Sequence, residues 1–358
     1  MKKLLLLLFL LFPVLSASAE DFNYQYEGQI LTYTIIDRDA TTCRLKEGKY
    51  DGWNDMPGNE VFGDLIIPSE AKYLNKYYKV VEISPRAFCN SKKLTSVIIP
   101  NSITAIGEKA FAGCWQLASV NIPNTITTIG YRMFYECGAL TSIDIPNSVT
   151  KIGSQAFERC TGLTSIVIPN SVTTIGEGIF CGCSKLSSAA IPNNITSITN
   201  SMFERCSKLA SIEIPNSVTS IDYQAFYGCE SLVSIKIPYN VTFIGYKTFS
   251  GCQNLKYIYL LNPIPPQLYF YGDAYETFDD DQLENSTVYV PQEALETYKT
   301  DINWGYFANI KSFDPTGING IEADDISKQN VYYDLNGRRL DAPRKGINII
   351  NGKKVVVK

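Results

Sequence analysis

The residues best equipped for chemistry in this 358-residue chain are its ten cysteines. Seven of them (Cys114, Cys137, Cys160, Cys183, Cys206, Cys229 and Cys252) stand 23 residues apart. Thiols can bind metal, form disulfides or attack as thiolates. Equal spacing points these seven side chains the same way, and parallel Cβ vectors disfavour a disulfide. A column of buried free thiols is expected instead, with cysteine serving as a small hydrophobe. Cys181 lies off that column, at a position filled elsewhere by Ala112, Tyr135, Glu158, Glu204, Tyr227 and Ser250. Such variety marks an exposed site, and no base or second pair accompanies Cys181-Gly182-Cys183. The chain has no histidine, which removes the commonest general base and with it Ser-His-Asp and Cys-His catalysis. Carboxylates fare no better. Asp144 and Glu213 recur three repeats apart, about 14 Å at ~4.8 Å per turn, beyond the ~5–9.5 Å of glycosidase pairs. Asp279-Asp280-Asp281 with Glu284 lacks the spaced ligands and glycine of a calcium loop and reads as a solvated insertion. No enzyme, metal or cofactor is expected. A formal charge of −4 gives no basic surface for nucleic acid.

The elements that carry these residues follow from the repeat itself. Pro100 to Pro238, Phe88 to Phe249 and Leu94 to Leu255 all recur at the same 23-residue step. One unit reads LTSIDIPNSVTKIGSQAFERC, Leu140 to Cys160. Alternation in its first six residues sends Ile143 and Ile145 inward and leaves Ser142 and Asp144 facing water. Pro146 has no backbone donor and stops the strand. Val149 and Ile152 form a second apolar pair, Gly153 suits a tight turn, and Phe157 and Cys160 return inward. One unit cannot bury enough apolar surface to fold alone, so neighbours must stack. A β-rich solenoid is the predicted architecture, about 40 Å long over eight turns.

The pattern L-x-x-I-x-I-P…I-G-x-x-A-F-x-x-C resembles the BspA-type leucine-rich repeat family, closely over residues 65–260. The resemblance implies a leucine-rich repeat fold in an exported or surface-displayed protein of a host-associated microbe, several of whose relatives act as adhesins. Residues 20–67 resemble the family's β-rich N-terminal cap, ending at Ile66-Ile67-Pro68, and Val288-Tyr289-Val290-Pro291…Tyr298…Trp304 resembles its last degenerate turn. Two departures stand out. Pro68 to Pro100 spans 32 residues, nine more than a repeat, and Thr199 and Asp222 replace the usual glycine. Threonine is poor at positive φ, so that position is either ordinary backbone or a distorted turn.

The ends divide the chain further. Residues 1–19 have Lys2 and Lys3, an apolar run from Leu4 to Leu15, and Ala17-Ser18-Ala19, the layout of a cleaved signal peptide. The solenoid is expected over 68–260, a degenerate repeat and C-terminal cap over 261–313, a linker over 314–330 and a basic β-hairpin tail over 331–358. Aromatic Tyr257, Tyr259, Tyr269, Phe270, Tyr271, Tyr275 and Phe278 are expected to cap the open end. In the tail, Asn336-Gly337 and Asn351-Gly352 signal hairpins, and seven basic residues face two acidic ones. This segment resembles C-terminal segments of Bacteroidetes surface proteins, some of them type IX secretion sorting domains. It implies contact with export machinery, or attachment, beyond what the signal peptide provides.

Comparing the repeats with one another separates fixed from free positions. The outward strand column runs Ile98, Asn121, Asp144, Val167, Ala190, Glu213, Lys236, Tyr259, beside a row of serines from Ser96 to Ser234 that ends in Tyr257. The candidate partner-binding residues are Asn121, Asp144, Val167, Glu213, Lys236 and Tyr259. The function expected is adhesin-like binding of a host or bacterial surface protein by a secreted or surface-displayed chain. A glycan-binding module using the aromatic C-terminal turn is the alternative, ahead of a structural role in the envelope.

Overall fold

The computed structural model describes residues 20–50, 55–269 and 276–313, and the backbone of four strands between Tyr332 and Val357. The expected signal peptide, the linker and the aromatic residues Phe270, Tyr271 and Tyr275 lie outside the described residues.

The chain is a parallel β-solenoid. Most turns carry a first strand, a turn set by Pro-Asn (Pro-Tyr at Pro238), a two-residue second strand and a run of tight turns. Both strands stack on their equivalents 23 residues away, as in Ser165↔Ser188 and Lys151↔Thr174. The tight-turn segments stack too, each alternate N–H donating to the next turn, as from Phe111 to the Met133 carbonyl at 3.1 Å. Backbone polar groups are thereby satisfied between turns, leaving side chains to fill the interior.

The interior is built from the fixed columns. Phe88 to Phe249 form one pile of eight rings, successive centroids 5.5–5.8 Å apart. Ile143 and Ile145 are buried and Ser142 and Asp144 exposed, as the alternation requires. The seven periodic cysteines are buried and free, and each thiol points at a phenylalanine carbonyl of the preceding turn, as Cys160 Sγ does at 3.1 Å from Phe134 O. Burial pushes the Cys160 thiol up to about 12 and Cys137, Cys183, Cys206 and Cys229 upward likewise. These thiols stay protonated and inert.

The glycine column has a different cause from a tight turn. Gly153 is not left-handed. Its N–H donates to Ile129 at 2.8 Å, and a Cβ there would lie 2.8 Å from Tyr131 N and 2.9 Å from Gly130 C. Close approach of adjacent backbones therefore selects glycine. At Gly130 the equivalent ladder bond is not made and an added Cβ would have 3.7 Å. Thr199 sits at the other lapse, between Thr174–Ile175 and Ser197–Ile198, and uses its hydroxyl to bond Gly176 O at 2.8 Å. Threonine at this position thus follows ordinary backbone. Left-handed φ falls instead on two other columns, including Arg132, Gln155 and Ser201, and Glu136, Arg159 and Arg205.

At the N-terminal end, Asp21–Tyr26, Gln29–Asp37 and Thr42–Leu45 form an antiparallel sheet that passes to parallel pairing with Lys76–Ile83. Phe62–Ile66 is already the first rung, pairing Ile66 with Ile98. The nine surplus residues form a hairpin in which Glu70–Tyr73 folds back on Lys76–Ile83, after which the 23-residue register resumes at Glu82↔Ala105.

At the other end the first-strand ladder continues past Tyr257–Leu260 through Thr287–Pro291 to Asn309–Phe313. The residues that close the core differ from most of the expected set. Phe278 does extend the ring pile, 5.2 Å from Phe249, but its companions are Trp304, Phe307 and Tyr298. Tyr257 and Tyr259 lie on the outward strand face, and Tyr269 packs edge-on to Tyr223 and Tyr246. The acidic run begins helix Asp280–Asn285: Asp279 is its N-cap within a capping box with Gln282, and its carboxylate accepts from Gly251 N at 2.7 Å. In the tail, Gly346–Ile350 and Lys353–Val357 pair antiparallel, within a four-stranded antiparallel sheet that includes Tyr332–Tyr333 and Arg339–Leu340; the two Asn-Gly pairs lie outside the described residues.

Candidate functional site

The outward column is one continuous row on the first-strand face. Backbone pairing aligns Ile66 with Ile98, Val167 with Ala190, Glu213 with Lys236, Lys236 with Tyr259, Tyr259 with Tyr289 and Tyr289 with Lys311. Asn121, Asp144, Val167, Glu213 and Lys236 are exposed and Tyr259 is half-buried. Inward neighbours hold the row in place. Ile143, Ile166, Ile212 and Ile235 are buried on the opposite side of the same strands.

Members of the row differ in what they are free to do. Asn121 is engaged by the fold: its Oδ1 accepts from Ile99 N at 2.7 Å, and its Nδ2 donates to Ile99 O at 2.9 Å. The amide thus stands in for a rung of the ladder, and the strand there shortens to Ser119–Val120. Leu140–Ile145 keeps the alternation of a strand without ladder pairing. At the N-terminal end Ser96 and Thr95 donate to Asp64 at 2.6 and 2.8 Å, holding its carboxyl below the usual range.

The C-terminal end of the same face is aromatic. Tyr259 stacks on Tyr289 at 4.9 Å and 12°, Phe313 meets Tyr259 edge-on at 6.1 Å, and Tyr257 lies 6.4 Å from Tyr289. Tyr289 and Phe313 were not among the candidate residues. The signal for Tyr289 is the match of Thr287-Val288-Tyr289-Val290-Pro291 to the strand pattern at an irregular spacing of 30 residues from Tyr257.

Cys181 is half-buried rather than exposed, and burial, then the charges of Glu204 and Glu158, push its thiol up to about 12. Cys183 is buried and donates to Phe157 O at 3.1 Å. Neither is set up as a nucleophile. Among the described residues, no group of three or more Cys, Asp or Glu is placed to hold a metal ion, and no helix is long and apolar enough to cross a membrane.

A stacked parallel first strand, inward leucines and isoleucines, and an outward variable row define a leucine-rich repeat protein. The chain belongs to the BspA type leucine rich repeat family, whose model matches residues 81–210 and 152–272, together more than half of its length, in six copies. Among solved structures it is similar to a leucine-rich repeat protein from Bacteroides ovatus, at 26% identity over 79% of this chain and 75% of that one, with a TM-score of 0.58. It is also similar to a leucine rich repeat protein of T. pallidum, at 26% identity over 63% of this chain and 87% of that one, TM-score 0.46. A leucine rich cell surface protein from Faecalibacterium prausnitzii matches at 26% identity over 82% and 74%, TM-score 0.47. No curated protein matches.

Proposed function

We propose that this chain is exported and that its outward strand face docks another protein on a host or bacterial surface, in the manner of an adhesin. One observation carries the reading. The face is an outward row from Ile66 to Lys311, exposed except at Tyr259 and Tyr289, whose chemistry changes at most rungs, above columns that hardly change at all. Solenoids use such extended surfaces for large partners. The leader-like residues 1–19 support export, and the basic tail supports contact with export machinery or attachment at the surface.

The test is capture of the full chain, without residues 1–19, by immobilised matrix proteins, bacterial surface extracts and a glycan array. Binding to a surface protein is expected, lost when Asp144, Val167, Glu213 and Lys236 are changed to Ser. Binding that ignores those four changes contradicts the reading.

A glycan reading has one observation in its favour: Tyr257, Tyr259, Tyr289 and Phe313 cluster on the same face. It moves the expected sugar site from the C-terminal turn onto the last strands. Array binding abolished by Tyr289→Ala, with protein capture silent, is its signature.

A further inference from the structure

On the tight-turn side, away from the strand face, one turn carries almost no side chains. The chain reads Phe157-Glu158-Arg159-Cys160 and Phe203-Glu204-Arg205-Cys206 on two turns, and Phe180-Cys181-Gly182-Cys183 on the turn between them. Gly178 likewise stands between Gln155 and Ser201. The missing side chains open a slot of about 1000 Å³ floored by Gly178, Cys181 and Gly182 and walled by the two Glu-Arg pairs. The rings of Phe157 and Phe203 lie 5.8 and 5.6 Å from that of Phe180, so the walls stand roughly two turn spacings, about 10 Å, apart.

Both guanidinium groups are engaged by neighbouring turns. Arg159 bonds Glu136 at 2.8 Å and the Tyr135 hydroxyl at 3.2 Å on the preceding turn. Arg205 lies over the Tyr227 ring at 5.9 Å on the following one. The carboxylates are left behind. Glu158 is only 9% exposed; its carboxylate Oε2 is buried with no hydrogen-bond partner, 3.9 Å from an Arg132 nitrogen, and its Oε1 stands 3.9 Å from Arg159 Nε. Glu204 has only Arg205 Nε, at 3.7 Å. A carboxylate this buried normally has its oxygens satisfied. The lining has two further carboxylates, Glu136, which Arg159 bonds, and Glu177, which accepts from Asn200 Nδ2 at 3.1 Å.

We propose that this slot binds a guanidinium or ammonium group, either the head of an arginine or lysine side chain on a partner protein or a free organic cation, with Glu158 and Glu204 as its acceptors. The site is independent of the strand-face reading. A planar, multiply donating cation offers hydrogen bonds to carboxylates on both walls.

The test is calorimetric titration of the full chain with N-acetylarginine amide, with its neutral isostere N-acetylcitrulline amide, and with matched extended peptides carrying one arginine or one citrulline. The arginine forms are expected to bind, and the citrulline forms about tenfold or more weakly. Binding of the amide identifies a free cation as sufficient; binding of the arginine peptide alone identifies a protein side chain as the source. Glu158→Gln and Glu204→Gln are each expected to weaken binding about tenfold. Gly182→Arg fills the slot with a guanidinium of its own and is expected to abolish binding. Arg159 and Arg205 hold the same left-handed position at φ 58° and 56°, so the fold accommodates arginine there, and an unchanged unfolding midpoint verifies it. Equal binding of citrulline, no binding by either arginine form, or undiminished binding to the Gly182→Arg variant overturns the proposal.

Discussion

The inner ring column and the outward strand column share one period and one backbone, yet they obey opposite rules. Every rung from Phe88 to Phe249 keeps the same ring because each is fully buried and all but Phe88 are packed between two others. Every rung from Ile98 to Tyr259 differs because its side chain leaves the sheet toward solvent. The contrast shows what the repeat constrains: volume and hydrogen bonding inside, and little in this outward column beside the fixed serine row. Asn121 marks the border between the two. It sits in the outward column while its amide does the work of backbone.

The comparison breaks most sharply at the centre of the pile. Phe157→Ala empties a site between Phe134 and Phe180, and is expected to cost about 3–5 kcal/mol in denaturant unfolding. A cost under about 1 kcal/mol would show that the pile is not a close-packed core.

The next test sets two glycines one turn apart against each other. Gly153→Ala pushes a methyl group into the backbone of Tyr131 and Gly130, and is expected to destabilise by about 1–3 kcal/mol. Gly130→Ala has 3.7 Å of room and ordinary backbone, and is expected to be neutral or slightly stabilising, by up to ~1 kcal/mol. Equal effects would mean that close approach is not what selects glycine.

Asp55 offers a smaller, pH-dependent effect. Burial raises its carboxyl, but bonds from Lys109 at 2.7 Å and Arg86 at 2.6 Å outweigh that and hold it below the usual value of 3.8. A lowered folded-state value contributes stability above the unfolded pKa and loses it as pH falls through the folded one. Stability is therefore expected to fall on acidification below about pH 4, and Asp55→Asn is expected to remove that part of the slope. An identical acid limb in the variant would assign the slope elsewhere. Smallest of all is the outward column, where Asp144→Ser or Glu213→Ser is expected to change stability by less than about 0.5 kcal/mol.

Much of this was legible in the sequence because a strict period repeats its own evidence. Phenylalanine, leucine, proline and cysteine each recur often enough to fix the turn, its strand and its inward face. What escaped depended on pairs of residues that the period does not tie together. The glycine column records how close two backbones come, which the structure shows at Tyr131 and Gly130 and composition does not. In the closing set, Tyr298 and Trp304 were legible only through the resemblance of the last degenerate turn, and Phe307 lies past the last regular unit, where spacing no longer points inward. The Asn121 amide bonds to Ile99, 22 residues away, and an exposed asparagine looks the same whether it faces a partner or its own backbone.

The most direct measurement pairs two readouts on one variant, with Asp144, Val167, Glu213 and Lys236 changed to Ser and Asn121 kept. Unfolding midpoint and capture by surface proteins are recorded beside the unmodified chain. The account predicts an unchanged midpoint with capture lost. A lowered midpoint, or capture that persists at full strength, would contradict the division between columns that hold the fold and columns that meet a partner.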